Sequence, residues 1–158
     1  MIDSKGFRLN VGIVLINREK KLFWAKRVGM KAWQFPQGGI QIDESPEQAL
    51  FRELKEEIGL LKKDVEIIGC TKGWLKYKLP KRFIRTSSVP LCIGQKQKYF
   101  LLRLLADDSQ LNLLASEVPE FEAWRWVDFW HPVTEVVSFK KEVYKKALQE
   151  LEPLIYKA

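Results

Sequence analysis

The sequence predicts an α/β fold in which a mixed β-sheet lies between helices. Two observations point to this class. Short segments rich in apolar and β-branched residues, typical of β-strands, recur along most of the chain. Two segments with helical periodicity, one central and one near the end, are long enough to cover such a sheet.

The predicted strands follow one another along the chain. Residues 8–17 and 22–28 form a strand pair around a polar turn at residues 18–21. Residues 33–37 form a short extended piece that runs into a glycine turn at Gly38 and Gly39. Three further segments are strand-like, at residues 65–71, 74–79 and 97–105. A last strand at residues 123–127 would place Trp124 and Trp126 on one face.

Two helices are predicted with clear ends. The first begins at Ser45 as N-cap, with Pro46 in the first turn and Gln48 as capping-box partner. It ends at Gly59, a residue suited to the left-handed conformation after a helix. The second begins near Ser138 and places these apolar residues on one core-facing stripe: Phe139, Val143, Tyr144, Ala147, Leu148 and Leu151.

The composition is that of a globular protein with an anionic partner. The chain has 158 residues, 46% hydrophobic and 30% charged, which favours one domain. Its 27 Lys and Arg against 20 Asp and Glu give a net charge of +7. An excess of basic residues favours nucleic acid or another polyanion as partner.

Cysteine, histidine and apolar runs exclude several classes. Cys70 and Cys92 are too few for a disulfide scaffold and are expected to be buried reduced thiols. With His131 as the one histidine, a zinc site of Cys and His ligands falls one ligand short. The apolar run from Val11 to Ile16 is too short for a signal peptide or a membrane span. We therefore expect a cytoplasmic protein without a membrane partner.

The first helix carries an unusual acidic cluster. At roughly 100° per residue, Leu50, Leu54, Ile58 and Phe51 face the core. Glu53, Glu56 and Glu57 share the other side, whereas Arg52 and Lys55 should point away from the centre of this arc. Carboxylates at this spacing repel one another by about 0.2–0.5 kcal/mol per pair. An isolated cluster of this kind is usually a solvated helix face, so the surrounding residues decide its meaning.

Those surroundings form a long motif. Residues 38–60 follow the pattern G-x5-E-x7-R-E-U-x-E-E-x-G-U without departure, where U is aliphatic, and this pattern resembles the Nudix box. A chance match is expected roughly once in 10⁸ windows. Carboxylates are the preferred ligands of hard cations such as Mg²⁺, which bridge them to substrate phosphates. Gly38 and Gly39 let the backbone approach metal and phosphate closely.

The resemblance extends along nearly the whole chain to the bacterial RNA pyrophosphohydrolase branch of the Nudix family. The segments that carry it include residues 33–40, 74–82, 92–98 and 136–140. It implies the Nudix α/β/α sandwich as a single domain over residues 6–150. The implied activity removes pyrophosphate from the triphosphorylated 5′ end of RNA, which exposes the message to decay.

The resemblance also implies a cofactor and the residues that hold it. The cofactor is Mg²⁺, with Mn²⁺ or another divalent cation as a possible substitute. The implied metal ligands are Gly38, Glu53, Glu56, Glu57 and Glu120. Arg52, expected to hold a glutamate of the box in position, joins Glu53, Glu57 and Glu120 as a catalytic residue. The general base is Glu53 or Glu120.

A basic tract supports an RNA substrate independently. Residues 67–106 contain no Asp or Glu but many Lys and Arg, interleaved with Trp74, Tyr77 and Phe83. Such a mixture suits the phosphates and stacked bases of a single strand. The expected RNA contacts are Arg8, Arg27, Gln37, Tyr77, Lys78, Gln95, Val137, Phe139 and Lys140. For Phe139, a role in the core is the alternative.

Three functions are compatible with these residues. The first is the RNA 5′-pyrophosphohydrolase, which acts on single-stranded 5′ ends and not on DNA. The second is a dinucleoside polyphosphate hydrolase, such as one for diadenosine tetra- or pentaphosphate. The third is an RNA-binding module without catalysis, which gives no reason for a self-repelling carboxylate cluster. The preferred 5′ nucleotides, the number of metals, the oligomeric state and any protein partner are not specified by the sequence.

Overall fold

A run of alternating and β-branched residues at the start of the chain builds the centre of a mixed sheet. The computed structural model describes residues 1–156. Its strands are β1 (Phe7–Ile16), β2 (Leu22–Arg27), β3 (Trp33–Gln34), β4 (Gln37–Gly39), β5 (Val65–Cys70), β6 (Leu75–Lys78), β7 (Gly94–Leu104) and β8 (Phe121–Val127). Its α-helices are α1 (Pro46–Ile58), α2 (His131–Glu135) and α3 (Lys141–Ile155).

The sheet is ordered β3-β2-β1-β7-β5, with β4 also on β1, β6 on β7 and β8 on β2. The β1–β7 pair is parallel, from Phe7 opposite Gly94 to Ile16 opposite Arg103. The remaining strand pairs of the described chain are antiparallel. The prediction of a mixed sheet is therefore confirmed.

Alternation along β1 separates two cores, one on each face of the sheet. Val11, Ile13 and Leu15 pack with α1 on one face. Val14 and Ile16 pack with α3 on the other. Each face thus buries the apolar stripe of a helix, which produces the expected α/β/α sandwich.

The caps of α1 are as predicted. The Ser45 side chain accepts a hydrogen bond from the Gln48 backbone amide, and the Gln48 side-chain oxygen accepts one from the Ser45 backbone amide. Gly59 follows the helix with φ 74° in the left-handed conformation. The predicted stripe of α3 is buried from Val143 to Leu151. Phe139, the first residue of that stripe, is half-buried and lies in a 3₁₀ turn from Ser138 to Lys140, so the α-helix begins only at Lys141.

Four local predictions were wrong or incomplete. Gly38 and Gly39 lie in β4, not in a turn, because both pair with β1. Strand β7 begins at Gly94, before the predicted residue 97. The five-residue helix α2 was not predicted. Cys70 is exposed and Cys92 half-buried, so the two free thiols are not core residues.

No helix within residues 1–156 is both long and apolar enough to cross a bilayer.

Candidate active site

Helix α1 holds its glutamates against strand β4. Leu50, Leu54 and Ile58 are fully buried under the sheet, which fixes the rotation of the helix about its axis. As a result Glu53 and Glu57 face β4 and are only 8% and 7% exposed. These two residues therefore do not form a solvated acidic face.

Gly38 is in close contact with Glu53. A Cβ atom at Gly38 would lie 2.0 Å from Cδ of Glu53, far inside van der Waals distance. At Gly39 the nearest atom to such a Cβ would be 3.8 Å away. The first glycine is thus required by the position of the Glu53 carboxylate, whereas the second is not.

Arg52 connects several groups around this contact. Its guanidinium donates to Glu44 in a two-point pair, Nε to Oε2 at 2.8 Å and Nη2 to Oε1 at 2.9 Å. It also donates to Oε1 of Glu53 at 2.6 Å and to the Gly39 carbonyl at 2.8 Å. The expectation that Arg52 points away from the acidic arc was wrong, because its long side chain bends back to the glutamates. The guanidinium holds the pKa of Glu44 down at about 2.

Glu53 and Glu57 form a buried carboxyl pair. Burial raises the pKa of Glu57 to about 10, and the neighbouring charge of Glu53 adds to the shift. Burial also raises the pKa of Glu53, which Arg52 opposes. Within residues 1–156, Oε2 of Glu57 is the single buried side-chain oxygen or nitrogen atom without a hydrogen-bond partner. Two buried carboxyls and an orphaned oxygen are a donor set that suits a hard divalent cation.

Glu56 and Glu120 are placed differently. Glu56 is exposed on α1, with Oε2 3.5 Å from Nη1 of Arg52. Glu120 precedes β8, is exposed, and lies 4.0 Å from Arg27. Its charge nevertheless contributes to the raised pKa of Glu57. In the described part of the chain, no three Asp, Glu, His or Cys side chains converge closely enough to enclose an ion as they stand.

A cationic pocket lies on the α3 side of the sheet and adjoins the acidic residues through Arg27, whose Nη2 is 4.0 Å from Oε2 of Glu120. Lys140 is 7% exposed, and its ammonium is 5.8 Å from the centre of the Tyr77 ring. Burial lowers its pKa to about 8, and the charge of Arg27 acts in the same direction. Within residues 1–156 no carboxylate forms an ion pair with Lys140. A buried cation without a counter-ion favours an anionic ligand.

Phe139 completes the aromatic side of this pocket. Its ring is half-buried, 5.7 Å from the Tyr77 ring and 6.0 Å from the Phe83 ring between centroids. Next to these rings lies a cleft of about 280 Å³ lined by Arg8, Leu79, Phe83, Arg85, Ser88, Cys92 and Gln95. Leu79, Ser88 and Cys92 were not anticipated as lining residues, because neither charge nor periodicity distinguishes them.

The expected RNA contacts do not all meet here. Gln37, Tyr77 and Gln95 lie together, and the Tyr77 hydroxyl donates to Oε1 of Gln95 at 2.7 Å. Lys78 follows Tyr77 in β6 and is exposed on the other face of the sheet. Val137 is 42% exposed, and its carbonyl accepts from the Lys140 amide at 3.0 Å.

Comparison with known proteins gives the class of this chain. The sequence matches the NUDIX domain over residues 6–150. The chain therefore belongs to the Nudix family. It is 63% identical over 156 residues to the RNA pyrophosphohydrolase of Alkalilimnicola ehrlichii, and the aligned region covers 99% of this chain and 86% of the relative. It is 59% identical over 154 residues to the RNA pyrophosphohydrolase of Vibrio cholerae, and that aligned region covers 98% of this chain and 90% of the relative.

Solved structures support the fold. The Escherichia coli dihydroneopterin triphosphate pyrophosphohydrolase superimposes with a TM-score of 0.70 at 18% identity, over 96% of this chain and 99% of that one. The Caenorhabditis elegans Ap4A hydrolase superimposes with a TM-score of 0.68, also at 18% identity and over 96% and 99%. At such identity the likeness concerns the architecture alone, and it confirms the predicted Nudix sandwich.

Proposed function

We propose that this chain is a metal-dependent RNA 5′-pyrophosphohydrolase that converts the 5′-triphosphate end of RNA to a 5′-monophosphate and so promotes mRNA decay in the cytoplasm. The observation that carries the proposal is the buried Glu53–Glu57 pair with its orphaned Oε2. The needs of folding alone do not explain this pair, because burying two carboxyl groups side by side lowers the stability of the folded protein. The relatives named RNA pyrophosphohydrolase support RNA as substrate.

The proposed cofactor is Mg²⁺, replaceable by Mn²⁺ or another divalent cation. The residues that would hold it are Glu53, Glu56, Glu57, Glu120 and the backbone of Gly38. A bound divalent cation neutralises phosphate charge and lowers the pKa of a coordinated water. The orphaned Glu57 oxygen and the raised pKa values of Glu53 and Glu57 fit such an ion, which would replace the proton that the pair retains.

Arg52 and Glu120 have separate proposed roles. Arg52 holds the Glu53 carboxylate against Gly38 and is itself held by the two-point pair with Glu44. Glu53 is therefore fixed, whereas Glu120 is exposed and has only a long contact to Arg27. This difference favours Glu120 as the group that accepts a proton from the attacking water.

The cationic pocket supplies the RNA site. Lys140 and Arg27 offer positive charge to phosphate, and the half-buried ring of Phe139 offers a surface on which a base can stack. The Tyr77 ring is buried against Phe139 and supports it from below. Arg8, Gln37 and Gln95 add donors along the same face, and Lys78 and Val137 are proposed to contact RNA from the rim. We propose that residues 6–150 act as one hydrolase domain on single-stranded RNA ends.

The direct test compares triphosphorylated RNA with diadenosine tetraphosphate in the presence of Mg²⁺. Release of pyrophosphate and 5′-monophosphorylated RNA, with RNA the better substrate, is the expected result. A preference for diadenosine tetraphosphate would support the dinucleoside polyphosphate hydrolase instead. RNA binding without any turnover would leave only a binding module.

Substitutions at the carboxyl pair test the proposed chemistry. Glu53→Gln and Glu57→Gln should each lower kcat at least about 100-fold while RNA binding persists, because a ligand of the ion is lost. Glu47→Gln is the matched control, since Glu47 is an exposed glutamate in the first turn of the same helix. Turnover within a few-fold of wild type in both pair variants would reject the metal site.

A further inference from the structure

A row of polar side chains crosses the sheet beneath the cationic pocket. The strand register places Gln37 and Tyr99 on either side of Gly12, and Gln97 beside Asn10. Gln95 stands opposite Tyr77 in the neighbouring pair. Gln97 and Tyr99 have no exposed surface, although neither belongs to the carboxyl site. Buried polar groups of this kind require an account of where their hydrogen bonds go.

Every hydrogen bond along this row is donated in the same direction. The Tyr99 hydroxyl donates to Oε1 of Gln97 at 2.5 Å. Nε2 of Gln97 donates to Oε1 of Gln37 at 3.0 Å and to Oδ1 of Asn10 at 2.8 Å.

The row continues from Gln37 into the pocket. Because Oε1 of Gln37 is an acceptor, its Nε2 faces onward and donates to Oε1 of Gln95 at 3.5 Å. The Tyr77 hydroxyl donates to the same oxygen of Gln95 at 2.7 Å. The chain of donors therefore runs from Tyr99 through Gln97 and Gln37 to Gln95, where the Tyr77 hydroxyl joins it.

The end of the row determines what Gln95 offers a ligand. Its Oε1 accepts from the Tyr77 hydroxyl at 2.7 Å and from Nε2 of Gln37 at 3.5 Å. Its Nε2 has no acceptor among residues 1–156, and Gln95 lines the cleft together with Arg8 and Arg85. Guanidinium groups are donors only, so these three side chains present donors alone. The ligand atom that complements them is an oxygen acceptor, as in a phosphate group.

The start of the row keeps its direction fixed. Gly12 leaves room for the Tyr99 ring, since a Cβ there would lie 2.4 Å from the ring carbon Cε1. Burial raises the pKa of Tyr99 well above its ordinary value, so the hydroxyl keeps its proton. The Tyr99 hydroxyl serves Oε1 of Gln97, which leaves both hydrogens of the Gln97 NH₂ group for the oxygens of Asn10 and Gln37. If the Gln97 amide turned over, its oxygen would face those two oxygens, so this orientation is kept.

We propose that Tyr99 is a positioning residue that, through Gln97 and Gln37 and together with the Tyr77 hydroxyl, holds the Gln95 amide with its NH₂ group toward a phosphate oxygen of the bound RNA. The proposal rests on the proposed function for its ligand. It names residues outside the metal site and predicts an effect on RNA affinity, not on the chemical step.

The test is a double-mutant cycle between Tyr99 and Gln95. Tyr99→Phe removes one hydroxyl and should raise KM for triphosphorylated RNA about 3–10-fold, with kcat within about twofold of wild type. The dissociation constant for the same RNA, measured by fluorescence anisotropy without divalent cations, should rise by the same factor. Gln95→Met should raise both by about tenfold. In the Gln95→Met background Tyr99→Phe should have no further effect.

The matched control is Thr71→Val. The Thr71 hydroxyl is equally buried and accepts from the Tyr99 backbone amide at 3.1 Å, but it lies outside the row. This variant should lower Tm and leave the dissociation constant for RNA unchanged. An equal loss of RNA affinity in Thr71→Val would mean that Tyr99 acts through stability alone and would overturn the proposal.

Two other outcomes would also overturn it. One is additive effects of Tyr99→Phe and Gln95→Met; the other is a fall in kcat with KM unchanged. If Tyr99→Phe does not fold, Gln97→Met takes its place in the same cycle with the same expected result. A wild-type protein that releases no pyrophosphate from RNA would refute the proposed function, whereas the binding cycle would still be measured.

Discussion

Glu57 is buried in a way that favours its protonated form, whereas the proposed metal site requires its ionised form. The folded protein holds its pKa near 10, against an ordinary value of 4.5. Between these values the folded state binds a proton that the unfolded state releases. The free energy of unfolding without metal should therefore decrease as the pH rises through this window.

Thermal unfolding with and without Mg²⁺ tests the ionisation of Glu57. Without metal, the Tm of wild type should fall between about pH 6 and about pH 9, and Mg²⁺ should restore it by binding the folded state. Glu57→Gln should remove the Mg²⁺ increment and reduce the pH dependence, of which the buried Glu53 keeps a part. An increment of equal size in the variant would show that the ion binds elsewhere.

Lys140 gives a second pH dependence, with the opposite sign for stability. Its pKa is lowered to about 8 by burial and by Arg27, so the unfolded state binds the proton more tightly. Stability should thus rise with pH above about 8, while affinity for RNA should fall as the ammonium is lost. Lys140→Met should bind RNA more weakly at neutral pH and show little change between about pH 7 and about pH 9. An unchanged pH profile of RNA affinity in that variant would contradict a phosphate contact by Lys140.

Single residues also show where sequence reasoning fails. The helical position of Arg52 indicated a side chain directed away from the glutamates, yet the guanidinium reaches Glu44, Glu53 and Glu56. A long side chain reaches partners that its Cα position does not indicate. Cys70 was expected in the core because cysteine is usually buried, but its place at the end of β5 leaves it exposed.

At the scale of elements, local chemistry predicted α1 better than any strand. Ser45 and Gly59 mark its two ends, and hydrogen bonds within a few residues suffice to form these caps. Strand β4 depends instead on pairing with β1, and its two glycines carry no side-chain alternation that could reveal a strand. Helix α2 has five residues, too few for a periodic signal.

The contact between β4 and α1 makes a sharp prediction. In Gly38→Ala the new Cβ would occupy the space of the Glu53 carboxyl, 2.0 Å from its Cδ, so that side chain must move. We expect kcat to fall about 100-fold with Tm lowered by only a few degrees. Gly39→Ala adds the same methyl group with no close contact and should retain activity. Steady-state kinetics and thermal melts of the two variants test this prediction. Equal losses of kcat in both variants would contradict a role for the contact between Gly38 and Glu53.

At the scale of the whole molecule, charge should determine how affinity depends on RNA length. The net charge is +7, and Arg82 and Arg85 are exposed beside Phe83. We expect kcat/KM to rise from GTP to short triphosphorylated RNAs and then to level off, with the gain shrinking as salt is raised. Arg85→Glu should reduce this gain, and Lys146→Glu, on the solvent face of α3, is the control of equal charge change. A flat length profile would contradict an extended RNA site.

The fold class could be predicted because both cores repeat simple periodicities, but the arrangement of strands could not. The parallel β1–β7 pair and the row from Gln37 to Tyr99 join residues far apart in the chain. No local pattern encodes such pairings. The acidic cluster could be located because it is local, whereas the cleft at Gln95 combines β1, β7 and the loop before β7.

That parallel pair also bears on the synthesis of the protein. Strand β1 leaves the ribosome first, but its partner β7 follows only after residue 93. Until then the apolar run from Val11 to Ile16 has one long edge without its native neighbour, a state that invites aggregation. The nascent chain should therefore remain sensitive to protease until β7 has emerged. Protection of the nascent chain from protease should then appear late and in a single step.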